Sequence, residues 1–328
     1  MRIYSKVPKI PIEIIAKLQG QGLEISNVTV AQEFLSKVSY FRFRGYLYPY
    51  FDQVLPSNTP RQFKPHSTFE KVQEIYCFDE SLRKLIFGIF PEIEVALRTI
   101  LDITISPIAQ HGFWYLENSW FKSTETQKFN ELLSKLEKKF KKSPEAYALH
   151  YRSQYFNRVS QQYKDLPPFW VISELATLGE LKILLEILDE NAPGFRGSSS
   201  VSIKSTILDK MSHQFGATHY RQLTNWIHVL LGLRNICAHH GRLWNRNLMA
   251  PKGVESLVSK AFVQVTGRKP TNNVYAAIVV LRIMCKNQSI HDGLKDGLLA
   301  LFKKFPESFM NKGTMGIPPD WHDDQIWL

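Results

Sequence analysis

The sequence predicts an all-α protein, a bundle of many helices. Apolar residues recur at intervals of three and four through nearly every segment, and no run alternates apolar with polar residues as a half-buried strand would. Serine and threonine capping signals and proline or glycine breaks punctuate the periodic stretches.

In chain order, residues 11–22 and 29–48 carry helical periodicity, with Thr29 and Gln32 as a capping box that opens the second helix. That helix ends in SYFRFRGYLYPYF, where aromatic residues interleave with Arg42 and Arg44. Such a mixture could stack bases and neutralise phosphates, or form a buried aromatic cluster with its arginines reaching to solvent. Pro56, Pro60 and Pro65 mark a loop over 52–66. Ser67 with Glu70 then opens a long helix or helix pair to about residue 105, which Pro91 should kink or break. A charged helix over 124–142 starts at a Thr124–Gln127 box and carries Lys138, Lys139, Lys141 and Lys142, a phosphate grip or a solvated face. The turn at 165–168 leads to an apolar helical stretch interrupted at Gly179. Residues 192–200, APGFRGSSS, read as the internal linker, and helical periodicity resumes over 201–215, 218–240, 272–286 and 293–304.

With 328 residues, 44% of them hydrophobic, the chain can bury a sizeable core. Its net charge of +11 favours a polyanionic partner. Cys77, Cys237 and Cys285 are widely spaced and odd in number, which excludes a disulfide framework and a CxxC zinc site and fits a reducing cytoplasm. The opening MRIYSKVPKIPIEII has no signal-peptide pattern, and no stretch of about 18 apolar residues could span a bilayer. A soluble cytoplasmic protein without a membrane partner is expected. Neither a glycine-rich phosphate loop nor a metal-ligand motif such as HExxH is present, so neither nucleotide-driven nor metal-dependent chemistry is expected, and no cofactor.

One segment concentrates polar chemistry. Residues 226–248, WIHVLLGLRNICAHHGRLWNRNL, begin as a core helix and then present Arg234, Asn235, His239, His240, Arg242, Asn245, Arg246 and Asn247 directly after a buried stretch. In metal-free RNA cleavage the 2′-hydroxyl attacks the adjacent phosphorus, so one group must move protons and a cation must stabilise the phosphorane. His239 suits the first task, and the planar guanidinium of Arg234 the second. Asn235 could orient the histidine or the scissile phosphate. Trp244 either stacks on a base or caps the core. On an ideal helix Arg234 and His239 stand roughly 140° apart, so either the arginine reaches round or the helix loosens toward Gly241. Glu94 and Arg98, four apart on one helical face, could pair against this segment or form an ordinary salt bridge.

Arginine followed by histidine after four to six residues is also the HEPN nuclease motif. By spacing alone it occurs at Arg61 with His66 and at Arg221 with His228, but only Arg234 is followed by asparagine and leads into AHHGRLWNR. The chain resembles abortive-infection proteins of the Abi-D and Abi-F type, which guard bacteria against phage. SYFRFRGYLYPY (39–50), FDESLRKLIFGIFPEIEVALRT (78–99), PPFWVISELATLGEL (167–181) and LRNICAHHGRLWNR (233–246) carry that resemblance. Those proteins are similar to the larger HEPN superfamily of ribonucleases, which implies a HEPN-like helical core and Arg234, Asn235 and His239 as the nuclease triplet. Supporting or RNA-binding roles fall to His240, Arg242, Trp244, Asn245, Arg246, Arg42, Arg44 and Arg98.

A single histidine makes one proton transfer at a time, whereas acid and base act on opposite sides of phosphorus. The HEPN resemblance implies a homodimer that brings two copies of His239 into one cleft, and His240 could instead be the second group. The expected function is a toxin-like, metal-independent endoribonuclease with RNA as substrate. It is restrained until infection by an antitoxin partner, a regulatory RNA or its own conformation. The alternatives are a non-catalytic RNA-binding scaffold of phage defence and a toxin acting through partner binding alone. The expected organisation is an N-terminal helical region (1–55), a HEPN-like domain (56–250) and a C-terminal helical extension (251–328).

Overall fold

The computed structural model describes residues 7–52, 61–195, 206–263 and 269–328, and among them the fold is all-α. In chain order the helices are α1 (Pro11–Gly20), α2 (Val28–Lys37), α3 (Tyr40–Leu47), α4 (Phe69–Phe87), α5 (Phe90–Ala109), α6 (Thr126–Lys142) and α7 (Ala146–Gln154). They continue with α8 (Phe169–Ile172), α9 (Leu178–Ile187), α10 (Ile207–His213), α11 (Tyr220–Ala238), α12 (Val274–Asn287), α13 (Leu294–Lys304) and α14 (Pro306–Met310). Extended pairing among the described residues is confined to isolated bridges such as Glu24 with Thr68. No helix of the described residues is long and apolar enough to cross a membrane.

Helix α11 lies at the centre, packed on α4, α9, α10 and α12. Its buried stripe is Leu223, Trp226, Ile227, Leu230, Leu233 and Cys237, the three-and-four spacing of a helix with one face in the core. Helix α12 is apolar on every side and buried from Val274 to Leu281, as expected for a helix surrounded by others. Its Arg282 pairs with Asp292 at 2.8 Å and donates to the Ile326 carbonyl at 3.0 Å, which ties the C-terminal residues to the core.

Several boundaries differ from the sequence expectation, each for a local reason. The helix expected over 29–48 is two, because the backbone is extended at Val38 and Ser39 restarts it by accepting a hydrogen bond from the Arg42 amide. Asn27, not Thr29, caps α2, and Thr68, not Ser67, caps α4. A capping side chain must itself lie outside the helix with extended backbone, and Asn27 and Thr68 do. Glu70 instead accepts from the Ser26 amide. Residues Ser123–Glu125 form a single 3₁₀ turn, so α6 begins two residues after Thr124. The apolar stretch after residue 168 breaks at Ala176 and Thr177, where Thr177 and Glu180 make a capping box, and Gly179 lies inside α9. Pro91 falls in the first turn of α5, where its missing N–H costs nothing, and the α4–α5 break falls at Gly88 and Ile89. Of the linker expected over 192–200, Pro193–Phe195 is a 3₁₀ turn with Phe195 fully buried, and 196–200 lies outside the described residues, as do 201–205 of the helix expected next.

Candidate nuclease site at the end of helix α11

Helix α11 stops at Ala238, between the arginine and the histidine of the motif. The Gly241 amide donates to the Ile236 carbonyl (2.8 Å) and the His240 amide to that of Cys237 (3.1 Å). This is the Schellman closure of a helix, with the residue after the cap in the left-handed region. That residue is His240 (φ 55°), where glycine is the usual choice, and the glycine follows it. The helix therefore ends as anticipated near Gly241. His239 occupies the cap position and its ring is exposed, with no side-chain partner among the described residues.

Arg234 is held one and a half turns earlier. Its Nε lies 3.5 Å from Oε1 of Glu94, and its Nη1 donates to Oδ1 of Asn235 at 3.3 Å. Nη2 has no partner among the described residues and can take a phosphate oxygen. The Glu94 carboxylate also meets Arg98 (3.8 Å), so the α5 pair does lean on the motif. Arg98 in turn reaches Glu174 (3.5 Å) and donates to the Ala176 carbonyl (2.9 Å), which connects α5 to the α8–α9 turn. The Asn235 side chain thus meets the arginine. Cys237, on the core stripe of α11, is buried, and burial pushes its thiol up to about 12, which makes it packing rather than a nucleophile.

The loop after the helix is fixed by groups that the sequence reading passed over. Asp79 of α4 is fully buried and accepts from the amides of Leu243 (3.1 Å) and Trp244 (2.6 Å), from the Tyr46 hydroxyl and from the Arg83 guanidinium. Burial raises the Asp79 carboxyl above its ordinary range, against the opposing effect of Arg83, Tyr46 and the two amides. Burial and the neighbouring carboxylate hold the Tyr46 phenol well above its usual value, so it stays a neutral donor. Helix α3 adds a reciprocal clasp. Arg42 donates to the His240 carbonyl and, through Nε, to the Tyr76 hydroxyl at 3.2 Å, while Arg242 donates to the Gly45 carbonyl at 2.7 Å. A Cβ at residue 45 would sit 3.1 Å from Cδ of Arg242, so glycine lets the guanidinium close on the backbone there.

These contacts divide the expected site residues. Arg42 and Arg242 brace the loop. Trp244 is fully buried edge-on to Phe78, 5.8 Å between centroids, and caps the core. Asn245 takes the left-handed region (φ 49°) and turns the chain away. His239, His240, Arg246 and Arg44 are exposed, and Arg246 leans on the Arg242 carbonyl at 3.4 Å. The aromatic residues of SYFRFRGYLYPY divide as well: Phe43, Tyr46 and Tyr50 are buried, and Phe41 is 87% exposed. In the other two motif-like pairs, Arg61 lies over the rings of Tyr48 and Phe51, and Arg221 pairs with Glu190, away from the α11 terminus.

A model of the family described as Abi-like protein matches residues 33–245. The chain belongs to that family. No curated protein and no solved structure matches it. The match runs from α2 to the loop after α11, and every partner in the clasp of this Abi-like chain, from Arg42 to Trp244, lies inside it. Membership associates the chain with abortive infection, the defence of bacteria against phage.

Because Glu94 serves two arginines, its charge should matter for both. The E94Q variant is expected to lower any activity of the site about tenfold, or about 1.4 kcal/mol of barrier, by releasing the Arg234 guanidinium. Stability should fall by only about 1 kcal/mol, since Glu174 still faces Arg98. Urea unfolding and initial rates on the same preparation separate the two effects. An unchanged rate would remove Glu94 from the site.

Proposed function

We propose that the chain is a phage-defence endoribonuclease that cleaves RNA without a metal ion, through Arg234, Asn235 and His239, in the manner of HEPN nucleases. The observation that carries this reading is the division of labour at the α11 terminus. Asp79, Tyr46, Arg42 and Arg242 are spent on holding the backbone, while the motif itself turns to solvent one oriented guanidinium, 29% exposed, and, at His239, an imidazole with no side-chain partner among the described residues. A folding role for the motif would bury both residues.

In the reaction, the Arg234 guanidinium binds non-bridging phosphate oxygens and gains strength as charge builds on the phosphorane. The His239 imidazole takes the 2′-hydroxyl proton or returns one to the leaving 5′-oxygen. The products are a 2′,3′-cyclic phosphate and a 5′-hydroxyl. Each chain supplies one such histidine, so we propose a symmetric dimer in which two α11 termini share a cleft, one histidine as base and its mate as acid. Such an enzyme is toxic to its host, and restraint by an antitoxin or regulatory RNA belongs to the same reading.

The purified protein is expected to cut single-stranded RNA in excess chelator, to leave cyclic phosphate ends and to spare DNA of the same sequence, which lacks the nucleophile. Mass spectrometry of the fragments reads all three. DNA cleaved at the same rate, or 3′-hydroxyl ends, would end the proposal. A species that remains monomeric while fully active would end its dimeric part.

A further inference from the structure

Two grooves lie side by side on the surface formed by α6, α7 and α8. The first, about 660 Å³, is lined by Lys135, Lys138, Lys139 and Lys142 with Leu175 on its far wall. The second, about 450 Å³, is lined by Tyr147, His150, Tyr155, Phe156 and Trp170. Their linings come within a few residues of each other at two places. Glu145 on the first and Tyr147 on the second are two residues apart at the start of α7, and Leu175 on the first follows Val171 of α8 on the second by four residues, in the 3₁₀ turn Ser173–Leu175. Glu174, beside Leu175, pairs with Arg98, and through Glu94 the path leads to Arg234.

The rings of the second groove are exposed, on a backbone that is held in place. Trp170 is 51% exposed, Tyr155 58% and Phe156 63%. Trp170 lies on the Gly112 backbone so closely that a Cβ there would fall 2.2 Å from its ring. The buried Asn157 side chain donates to the carbonyls of Tyr163, Lys164 and Leu166 and accepts from the amides of Val159 and Ser160, which pins the loop that carries Tyr155 and Phe156. Arg152 braces the other side by donating to the carbonyls of Phe140 and Ser143. In the first groove Lys139 is neutralised by Glu180, but Lys135, Lys138 and Lys142 have no ion pair among the described residues.

Exposed rings beside a row of uncompensated lysines are the two halves of a site for an unpaired nucleic acid strand. We propose that these grooves are a single-stranded RNA track, in which bases stack on Trp170, Tyr155 and Phe156 and the phosphates run over Lys135, Lys138 and Lys142. The track rests on the ribonuclease reading and specifies how its substrate is held: it takes unpaired RNA of any sequence and delivers it past Arg98 to the α11 terminus. A duplex cannot use it, because paired bases do not offer their faces.

Trp170 makes the test direct, since it is the exposed member of seven tryptophans, the other six being buried. Wild-type protein is titrated with a 2′-O-methylated oligouridine, which has no free nucleophile and stays uncut, and tryptophan fluorescence is followed. The oligonucleotide should quench the exposed component, and the matching duplex should not. W170A should bind about tenfold more weakly, the usual scale for one stacked base, while W170F should stay near wild type and so control for folding. Replacing Lys138 and Lys142 together with alanine should reduce the slope of log affinity against log salt by about 1.4. Tight binding that leaves Trp170 unquenched, or equal affinity of W170A, overturns the track. So does quenching that follows protein concentration without RNA, which would make the groove a contact between copies of the chain. The ribonuclease reading fails separately: a protein that binds in this way but cuts nothing keeps the track and loses the nuclease. A W170A variant that cuts with unchanged KM does the reverse.

Discussion

H239A is expected to lower the rate of RNA cleavage about 10³-fold, within the 10²–10⁴ range of a positioned proton carrier, and to leave thermal unfolding almost unmoved. The exposed His239 ring has no side-chain partner among the described residues, so its removal costs the fold no more than an ordinary surface change, about 0.5 kcal/mol. R234A should lose about 10²–10³-fold, the range for one stabilising donor at a developing oxyanion. Its stability cost should stay near 1 kcal/mol, because Glu94 keeps Arg98. R234K separates charge from shape: an ammonium restores the cation but neither the fork that meets phosphate nor the Nη1 contact to Asn235, and partial recovery at most is expected. Rates and circular dichroism on the same samples decide the matter. If both alanine variants unfold at low temperature, the motif is structural. If both fold and cut at the wild-type rate, the catalytic groups lie elsewhere.

How much of this was legible in the sequence depends on what each feature's signal consists of. The all-α class and the extent of α6, α11 and α12 rest on apolar spacing, which burial enforces directly, whereas the α4–α5 break, expected at Pro91, falls at Gly88 and Ile89. Helix starts were less legible by one or two residues, because Ser67 and Thr68, or Thr29 and Asn27, are equally able caps until the backbone chooses one. At the site, the string from Arg234 to Arg246 was visible as a run of polar groups after a buried stretch, but its bracing was not. Asp79 could have been found: Val72, Ile75, Tyr76, Leu82, Arg83 and Ile86 mark the buried stripe of α4, and Asp79 falls on it. A carboxylate at a core position needs partners, and that alone is a signal. Which partners it has could not be read, since Leu243 and Trp244 are more than 160 positions away. Whether Arg42 supports the site or meets RNA is not legible in composition, which cannot tell a side chain that faces solvent from one turned onto a carbonyl. The aromatic groove has no linear signature, because its walls come from three separate stretches, at Phe113, 147–156 and 168–171.

Replacing Asp79 should produce the largest loss of stability that one substitution in this region can cause. Its carboxylate is the shared acceptor for two backbone amides, the Tyr46 hydroxyl and the Arg83 guanidinium, and Arg83 is itself only 5% exposed. D79A strands a buried cation and three further donors, so a loss of about 3–5 kcal/mol is expected, the scale for breaking one side of a buried pair. D79N keeps an acceptor for the amides but not the charge for Arg83, and should lose less. Combining D79N with R83M removes the stranded cation, so the double variant should be more stable than the sum of the two single changes predicts. The functional consequence is local. With the anchor gone, the amides of Leu243 and Trp244 should lose hydrogen-exchange protection while those of α12 keep theirs, and the loop that follows His239 should loosen. At a temperature where D79N is still folded, cleavage should therefore fall further than its unfolded fraction explains. D79A that melts with the wild type, or amides at 243 and 244 that stay protected in it, would show that the loop is held by the Arg42 and Arg242 clasp alone.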